Sequence, residues 1–176
     1  MIKKQNQFEA QLIGKNISSN SKKAYALSKE NFFGELTGGK VIYSLQEGFF
    51  LFKNKEMGIL QNKKNLNENE VLKKFLKIDK EFSSKYQVFE SLRKKGLILK
   101  SGIKYGADFS VYEKGKKPGK DHSSFLLSVE PFSKKVNWEK FILKNRVANS
   151  TKKKVLLAIQ DEEGNILYYR IDWIKF

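Results

Sequence analysis

The single histidine of the chain, His122, is the side chain best suited to proton transfer near neutral pH. An imidazole with its unperturbed pKa of about 6.5 can both donate and accept a proton there. The residue lies in a polar segment, preceded by Lys120 and Asp121 and followed by two serines. A solitary histidine is also common on ordinary surface loops, and it cannot form a histidine-rich metal site. The chemistry to look for is therefore acid–base catalysis, with a plain surface loop as the alternative.

Other catalytic signatures are absent from the sequence. It contains no cysteine, which excludes a thiol nucleophile and a cysteine-ligated zinc site. It also lacks the GxxxxGK[ST] and GxGxxG phosphate-binding patterns and the GxSxG nucleophile elbow. A restriction-type nuclease holds magnesium with acidic residues that include a D/E-x-K motif, but Glu130, near the end of a predicted strand, has no lysine at the required place. We therefore predict neither a metal ion nor a cofactor.

The charge of the chain indicates a polyanionic partner. Lysine and arginine number 35 against 19 acidic residues, a formal net charge of +16. Each phosphate neutralised by such a surface releases counterions and favours binding of nucleic acid, although a solubilising lysine surface is the alternative. No apolar run is long enough to span a membrane, and Met1–Asn6 has no apolar stretch typical of a signal peptide. We therefore predict a cytoplasmic protein that does not bind membranes.

Arginine is scarce, which makes the few arginines informative. The chain contains only Arg93, Arg146 and Arg170. A guanidinium can stack flat on a base and form paired hydrogen bonds, whereas a lysine acts as a point charge. Arg93 falls in a predicted helix and is read as ordinary surface charge. Arg146 and Arg170 are candidates for planar recognition of RNA.

The hydrophobic pattern predicts an α+β chain of two domains, residues 1–79 and 80–176. Asn67 and Asp79 are predicted to cap two successive helices, and Ser44 with Glu47 forms a capping-box pattern before another. Glycine at position 96 is a natural helix stop, after which short apolar runs predict strands. The predicted strands are 41–43, 57–60, 97–99, 107–112, 125–129, 155–160 and 166–173, and the predicted helices lie near 44–52, 68–78, 80–95 and 138–149. Residues 8–13 and 24–27 carry short signals for a strand or a turn of helix.

Two sequence blocks resemble the signature of the tRNA-splicing endonucleases. The first is LILKSGIKYGADFSVYEKGKKPGKDHSSF, residues 97–125, with a strand ending in tyrosine, a basic loop and a histidine-serine pair. The second is RVANSTKKKVLLAIQDEEGN, residues 146–165, in which a lysine opens a buried strand that leads into an acidic turn. The resemblance covers residues 80–176 well and residues 30–78 more loosely. It implies a restriction-endonuclease-like mixed sheet flanked by helices, preceded by a small α/β domain.

The resemblance also implies roles for individual residues. The family's catalytic tyrosine, histidine and lysine fall on Tyr112, His122 and Lys153, and its base-clamping arginine falls on Arg146, with Arg170 as the partner. In strand alternation Lys153 projects to the side opposite Lys152 and Lys154. The family cleaves RNA by attack of a ribose 2'-hydroxyl, leaving a 2',3'-cyclic phosphate and a 5'-hydroxyl without a metal. Tyr112 would be the base or would position the 2'-hydroxyl, because a free tyrosine has a pKa of about 10.

The implied substrate is an intron-containing precursor tRNA with a bulge-helix-bulge at the intron junctions, and the implied partners are other endonuclease subunits. In the family an acidic turn inserts into a neighbouring subunit, and that turn corresponds to Asp161, Glu162 and Glu163. The assembly would be a homotetramer or a heterotetramer with a structural subunit. Two departures occur: Asn149 stands where the family often has histidine, and Asn165 where the turn commonly ends in aspartate.

The terminal segment 166–176 is strongly apolar, which predicts a subunit interface. Two other functions remain open from the sequence. One is a non-catalytic RNA-binding or assembly subunit of a heteromeric endonuclease. The other is a metal-dependent DNA nuclease built on the same fold.

Overall fold

A computed structural model describes residues 7–174 as an α+β fold, which confirms the predicted fold class. The described chain divides into two compact units, one up to Ser83 and one from Ser84 onward, and the division falls within a helix. Residues 1–6, for which we predicted no signal peptide, and the last two residues of the apolar terminal segment lie outside the described residues. Among residues 7–174 no helix has the length and apolar character needed to cross a membrane.

The amino-terminal unit is built on a six-stranded sheet with the order β3-β4-β2-β1-β5-β6. Strands β1 and β5 pair in parallel, and every other neighbouring pair in this sheet is antiparallel. Its elements are β1 (Phe8–Ile13), β2 (Asn16–Ser19), α1 (Lys22–Asn31), β3 (Glu35–Thr37), β4 (Lys40–Tyr43), α2 (Leu45–Lys53), β5 (Met57–Gln61), β6 (Lys64–Asn65) and α3 (Glu68–Ile78).

Side-chain caps determine where two of these helices begin. Ser44 accepts a hydrogen bond from the backbone of Glu47, whose carboxylate accepts one from the backbone of Ser44. Asn67 and Glu70 form the same reciprocal pair at the start of α3. Each pair satisfies two backbone groups that a helix terminus leaves without partners. The predicted caps Ser44 and Asn67 are therefore confirmed.

Aromatic packing stabilises the amino-terminal unit. The rings of Phe49, Phe75 and Phe82 meet at centroid distances of 5.1 to 6.0 Å, mostly edge to face. All three side chains are buried. Pairs in this geometry add stability beyond the apolar area that they bury.

The carboxy-terminal unit contains a five-stranded sheet with the order β11-β10-β9-β8-β7. Strands β9 and β10 are parallel and the other neighbouring pairs are antiparallel, so the sheet is mixed. Its elements are α4 (Phe82–Lys94, which begins at the end of the preceding unit), β7 (Ile98–Ser101), a 3-10 turn (Ile103–Tyr105), β8 (Phe109–Tyr112), β9 (Phe125–Pro131), α5 (Trp138–Ser150), β10 (Lys154–Gln160) and β11 (Ile166–Ile171).

The two faces of this sheet are covered by different helices. On one face Phe89 of α4 packs against Phe109 of β8, with ring centroids 5.9 Å apart. On the other face Ala148 of α5 packs into a buried cluster with Leu126 of β9 and Val155 of β10. Because α5 is the crossover between two parallel strands, it lies against the sheet that it connects. We refer to these faces as the α4 face and the α5 face.

Apart from α1, for which residues 24–27 carried only a strand or turn-of-helix signal, the elements that sequence reasoning missed are short. Strands β2, β3 and β6 have two to four residues and carry little hydrophobic pattern of their own. They form because a neighbouring strand supplies hydrogen-bond partners, which is a tertiary effect. The last strand ends at Ile171, whereas the predicted strand continued to Trp173.

A tight turn between β7 and β8 depends on Gly102. A side-chain carbon at this residue would lie 2.8 Å from the carbonyl oxygen of Ala107 and 2.8 Å from the backbone of Phe109. The turn is closed by backbone hydrogen bonds that join Gly102 to Tyr105, Ala107 and Asp108. Glycine is therefore required here by close backbone approach.

We expect Gly102→Ala to destabilise the protein by about 1–3 kcal/mol, the usual cost of forcing an atom into closely packed structure. The measurement is the urea midpoint of unfolding, followed by far-UV circular dichroism. Gly106→Ala is the matched control, since its side chain would meet open space although its φ of 71° favours glycine. A Gly102 variant no less stable than the Gly106 variant would contradict the close-approach argument.

Candidate active site

Three strand ends meet at one edge of the carboxy-terminal sheet. Tyr112 ends β8, Phe125 begins β9 and Lys154 begins β10. The register pairs Val111 with Phe125 and Phe125 with Lys154. Backbone hydrogen bonds continue this order, because Ser124 N donates to Val111 O at 2.9 Å and Lys154 N donates to Ser124 O at 3.1 Å. The predicted residues Tyr112, His122 and Lys153 thus belong to chain segments that converge on this edge.

The alternation of side chains along the strands places the Tyr112 and Lys153 side chains on the α5 face of the sheet. Lys153 is two residues from Val155, which packs on Ala148 of α5. Tyr112 is two residues from Ser110, which pairs with Leu126 of that same cluster. Residues two apart in a strand point to the same side. Tyr112, which is half-buried, and Lys153 therefore lie on one face of the sheet at one edge.

The loop that carries His122 is internally hydrogen-bonded. The Asp121 carboxylate accepts from the backbone N–H of Lys117 at 2.7 Å, and Asp121 N donates back to Lys117 O at 2.8 Å. At the end of the loop the Ser124 hydroxyl donates to Glu113 and accepts from Lys116 Nζ at 2.9 Å. These bonds join the two ends of the loop beside Tyr112, while the His122 side chain remains exposed.

The electrostatics at this loop keep an acidic residue ionised next to the candidate site. The hydrogen bond donated by Ser124 is the main reason why the pKa of Glu113 lies below its ordinary value. The positive charges of Lys116 and Lys154 lower the pKa further and outweigh desolvation. Glu113 directly follows Tyr112, so a carboxylate surrounded by lysines lies at the end of β8.

Lys153 is the buried member of the lysine run. It is 9% exposed, whereas Lys152 and Lys154 are exposed. Its Nζ donates to the carbonyl oxygen of Thr151 at 3.1 Å and lies 5.1 Å from the ring centroid of Tyr105. Within residues 7–174 no carboxylate forms an ion pair with this ammonium group.

The end of α5 sets the position of Lys153. Lys152 adopts a left-handed conformation with φ of 55°, and its N–H donates to Asn149 O at 3.0 Å. The next N–H, of Lys153, donates to Ala148 O at 2.8 Å. This pair of bonds is a Schellman-type helix end, which reverses the chain from α5 into β10. The negative end of the helix dipole at Thr151 is favourable for the Lys153 cation.

The two arginines have different surroundings. Arg146 is exposed on α5, about one turn before its end. Arg170, in β11, donates through Nε to Asp172 at 2.9 Å, and Lys154 Nζ lies 3.1 Å from the other oxygen of that carboxylate. Because β11 is antiparallel to β10, Arg170 lies toward the same sheet edge as Lys153. The structure therefore ties Arg170 to a carboxylate at that edge.

The acidic turn lies at the opposite end of the sheet. It connects the end of β10 to the start of β11, away from the edge that carries Lys153. Asp161 accepts hydrogen bonds from the backbone and side chain of Asn165, which hold its pKa below the ordinary value. Glu162 and Glu163 are exposed. The turn is thus a rigid, negatively charged projection remote from the candidate active site along the strands.

Sequence reasoning gave no role to Tyr105 and Lys104, which the structure brings to the site. Lys104 Nζ lies 4.9 Å from the centroid of the Tyr105 ring that also contacts Lys153. Both residues lie in the KYGADF stretch of the first sequence block, on the 3-10 turn rather than on a strand. Their sequence signal was present, but nothing in it placed the turn beside the end of α5.

Acidic and histidine side chains do not cluster in the manner of a metal site. Across residues 7–174 no group of three or more such side chains is arranged to hold a metal ion. The carboxylates at the sheet edge, Glu113 and Asp172, are instead paired with lysine and arginine side chains.

The fold and the site define a class of nuclease by comparison with known proteins. The family described as tRNA intron endonuclease, catalytic C-terminal domain, matches residues 82–168, which include Tyr112, His122, Arg146 and Lys153. The chain belongs to this family, as the sequence resemblance predicted.

Similar proteins cover nearly the whole chain. A tRNA-splicing endonuclease of Thermococcus onnurineus is 33% identical over 169 residues, 96% of this chain and 97% of its own length. The protein of that name from Pyrococcus abyssi is 34% identical over the same shares of both chains. That of Nanoarchaeum equitans is 34% identical over 81% of this chain and 98% of its own.

Proposed function

We propose that this chain is the catalytic subunit of an endoribonuclease that removes introns from precursor tRNA. We further propose that it cuts at bulge-helix-bulge junctions and leaves 2',3'-cyclic phosphate and 5'-hydroxyl ends without a metal ion. The observation that supports the proposal is that the chain segments carrying Tyr112, His122 and Lys153 converge on one sheet edge in a chain of this family. The net charge of +16 suits a polyanionic substrate.

The proposed reaction needs three functions. The 2'-oxygen of the RNA attacks the adjacent phosphorus while its proton is removed; the bond from phosphorus to the 5'-oxygen then breaks, and that oxygen takes up a proton. Tyr112 accepts the 2'-proton or positions the hydroxyl, and His122 supplies the proton to the leaving oxygen. Lys153 stabilises the extra negative charge on phosphorus in the transition state.

The surroundings of Lys153 and His122 favour these roles. Lys153 is a largely buried ammonium group with no carboxylate partner among the described residues 7–174, so it can bind an incoming anion, and it interacts more strongly there than it would in water. His122 is exposed on a loop whose ends are held together by hydrogen bonds, so it can reach RNA without rearrangement of the sheet.

The experiment that tests the proposal is cleavage of a labelled bulge-helix-bulge RNA in EDTA, with analysis of the new ends. Two cuts with 2',3'-cyclic phosphate are expected. Cleavage only after addition of magnesium, or products with 3'-hydroxyl ends, would contradict the proposal and favour a metal-dependent nuclease. If the purified chain cuts only with an added structural subunit, the proposal holds for the heteromeric assembly.

Arg146 is proposed to stack on a bulged nucleotide. Bulged bases can be splayed out and held on guanidinium planes, and Arg146 is exposed on α5. Arg146→Lys keeps the charge and loses the flat surface, so cleavage should fall by about 10–100-fold with a much smaller loss of general RNA affinity. Single-turnover rates and filter binding measure the two effects. Arg93→Lys is the control, since Arg93 donates to the backbone of Leu97; equal losses of cleavage and binding at position 146 would exclude a clamp.

Subunit assembly is proposed to use the acidic turn and the last strand. Asp161, Glu162 and Glu163 would insert into a basic surface of a neighbouring subunit, and Arg170 would contact RNA at the sheet edge. Strand β11 is at the edge of its sheet, and Leu167 and Tyr169 are about half exposed. An exposed apolar edge strand favours pairing with another chain.

Truncation before Tyr169 should therefore yield monomer or aggregate in size-exclusion chromatography. Because truncation also removes partners of β10, Leu167→Ser with Tyr169→Ser is the cleaner variant and should give folded monomer. Loss of the apolar contact area favours dissociation. An unchanged oligomer in the double variant would show that the interface lies elsewhere.

A further inference from the structure

One aromatic ring lies beside two lysine ammonium groups at the candidate active site. Lys104 Nζ is 4.9 Å and Lys153 Nζ is 5.1 Å from the centroid of the Tyr105 ring. Cations within about 6 Å of a ring centroid are attracted by the negative face of the ring. An anion that approaches this ring would be attracted by both ammonium groups.

The Tyr105 ring is itself held in place. It packs against the buried cluster of Ala107, Leu126, Ala148 and Val155. Its backbone N–H donates to Gly102 O at 2.8 Å in the 3-10 turn. A ring held in this way can restrict the motion of a neighbouring side chain, whereas a lysine on its own has four rotatable side-chain bonds.

The contacts of Lys153 leave one direction open. An ammonium group has three N–H donors. One is directed to the Thr151 carbonyl, and the Tyr105 ring covers another side. Among residues 7–174 no further hydrogen-bond partner of this group is observed, which leaves a donor for a phosphate oxygen at the sheet edge where the chain segments of Tyr112 and His122 converge.

We propose that Tyr105 is a positioning residue that holds the Lys153 ammonium group for phosphodiester binding, and that Lys104 adds a second cation to the same site. The proposal rests on the proposed function, because the anion in question is the RNA phosphate that reacts. Attack of the 2'-oxygen raises the negative charge on that phosphate, so a second cation on the same ring strengthens the interaction where charge develops. Neither residue needs to exchange a proton.

The test compares Tyr105→Leu with Tyr105→Phe in single-turnover cleavage of the bulge-helix-bulge RNA. The leucine variant should cleave about tenfold more slowly at saturating enzyme, the size expected for loss of one partly desolvated cation–π contact. Its dissociation constant for RNA should change less than about twofold. Phenylalanine keeps the ring and should restore the wild-type rate. Wild-type rate in the leucine variant, or equal loss in both variants, would overturn the proposal.

Two further measurements separate positioning from packing. In a Lys153→Met background, Tyr105→Leu should cause no additional loss, because the group that it positions is gone; additive losses would overturn the proposal. If Tyr105→Leu lowers the melting temperature, 3,4,5-trifluorophenylalanine at position 105 keeps the shape and weakens the negative ring face. It should reproduce the loss of rate in a stably folded protein, and a wild-type rate would again overturn the proposal.

Lys104 is tested through salt dependence. Lys104→Gln should weaken RNA binding and reduce the slope of log affinity against log salt by about one, as expected for loss of one phosphate contact. Lys29→Gln, in α1 of the amino-terminal unit, is the control for charge alone. An unchanged slope for the Lys104 variant would overturn its part of the proposal. If the wild-type protein does not cleave RNA at all, the proposed function fails rather than this inference.

Discussion

His122→Ala should lower the single-turnover rate of RNA cleavage by about 10²–10⁴-fold, the range typical of a lost general acid. His122 is exposed, and no hydrogen bond of the loop requires its side chain, so the fold should be retained. Substrate affinity should change little, because the proposed role of His122 is to transfer a proton to the leaving oxygen rather than to bind the substrate. The measurements are the cleavage rate at saturating enzyme and the dissociation constant from filter binding.

The pH dependence sharpens this expectation. If His122 is the acid, the wild-type rate should fall as the pH is raised and the acid loses its proton. This fall in rate at high pH should disappear in the His122→Ala variant. Asp121→Ala is the comparison, since it removes the carboxylate that accepts from Lys117 N and loosens the loop without removing the acid. The Asp121→Ala variant should cleave more slowly but keep the fall in rate at high pH. A wild-type rate in His122→Ala would exclude the residue as the acid.

Lys153→Met should abolish most activity while leaving the protein as stable as before or more stable. The methionine keeps much of the volume and removes a cation that is 9% exposed and has no carboxylate partner among residues 7–174. A buried charge without a full set of partners is costly, so its removal favours the folded state. The rate should fall by about 10²–10³-fold, as for loss of one transition-state stabilising donor.

Thermal unfolding and single-turnover cleavage measured on the same samples decide this prediction. Lys29→Met is the matched control, because it makes the same chemical change at an exposed residue of the amino-terminal unit. A large drop in melting temperature at position 153 would show that Lys153 is structural. An active, more stable variant would show that its charge is not used in catalysis.

Local signals in the sequence predicted much of the fold. The helices that start at Ser44 and Asn67 were predicted from their capping patterns, because a cap is a hydrogen bond between residues three apart. The helix end at Gly96 was predicted from the residue type, and the observed φ of 85° is a conformation that favours glycine. The strands 155–160 and 57–60 followed from continuous apolar runs, and each matches an observed strand to within one residue.

Long-range pairing could not be predicted in the same way. Strand β3 has no buried residue, so its existence depends on hydrogen bonds from β4 rather than on its own composition. In α5 the large apolar residue Ile142 is exposed, whereas the small residue Ala148 is buried. Which residues of a helix meet the core depends on how the helix packs on its sheet, and the local sequence pattern does not set this.

The sequence by itself indicated the class of protein and the candidate catalytic residues through the resemblance of its two blocks to a known family, and its composition indicated a charge suited to RNA. Tertiary structure decided which side chains share a site. Only the pairing of β8, β9 and β10 brings the segments of Tyr112, His122 and Lys153 to one edge, and only the end of α5 brings Lys153 onto the Tyr105 ring. The physical reason is that contacts between residues distant in sequence are set by strand register and helix crossover, which no local pattern encodes.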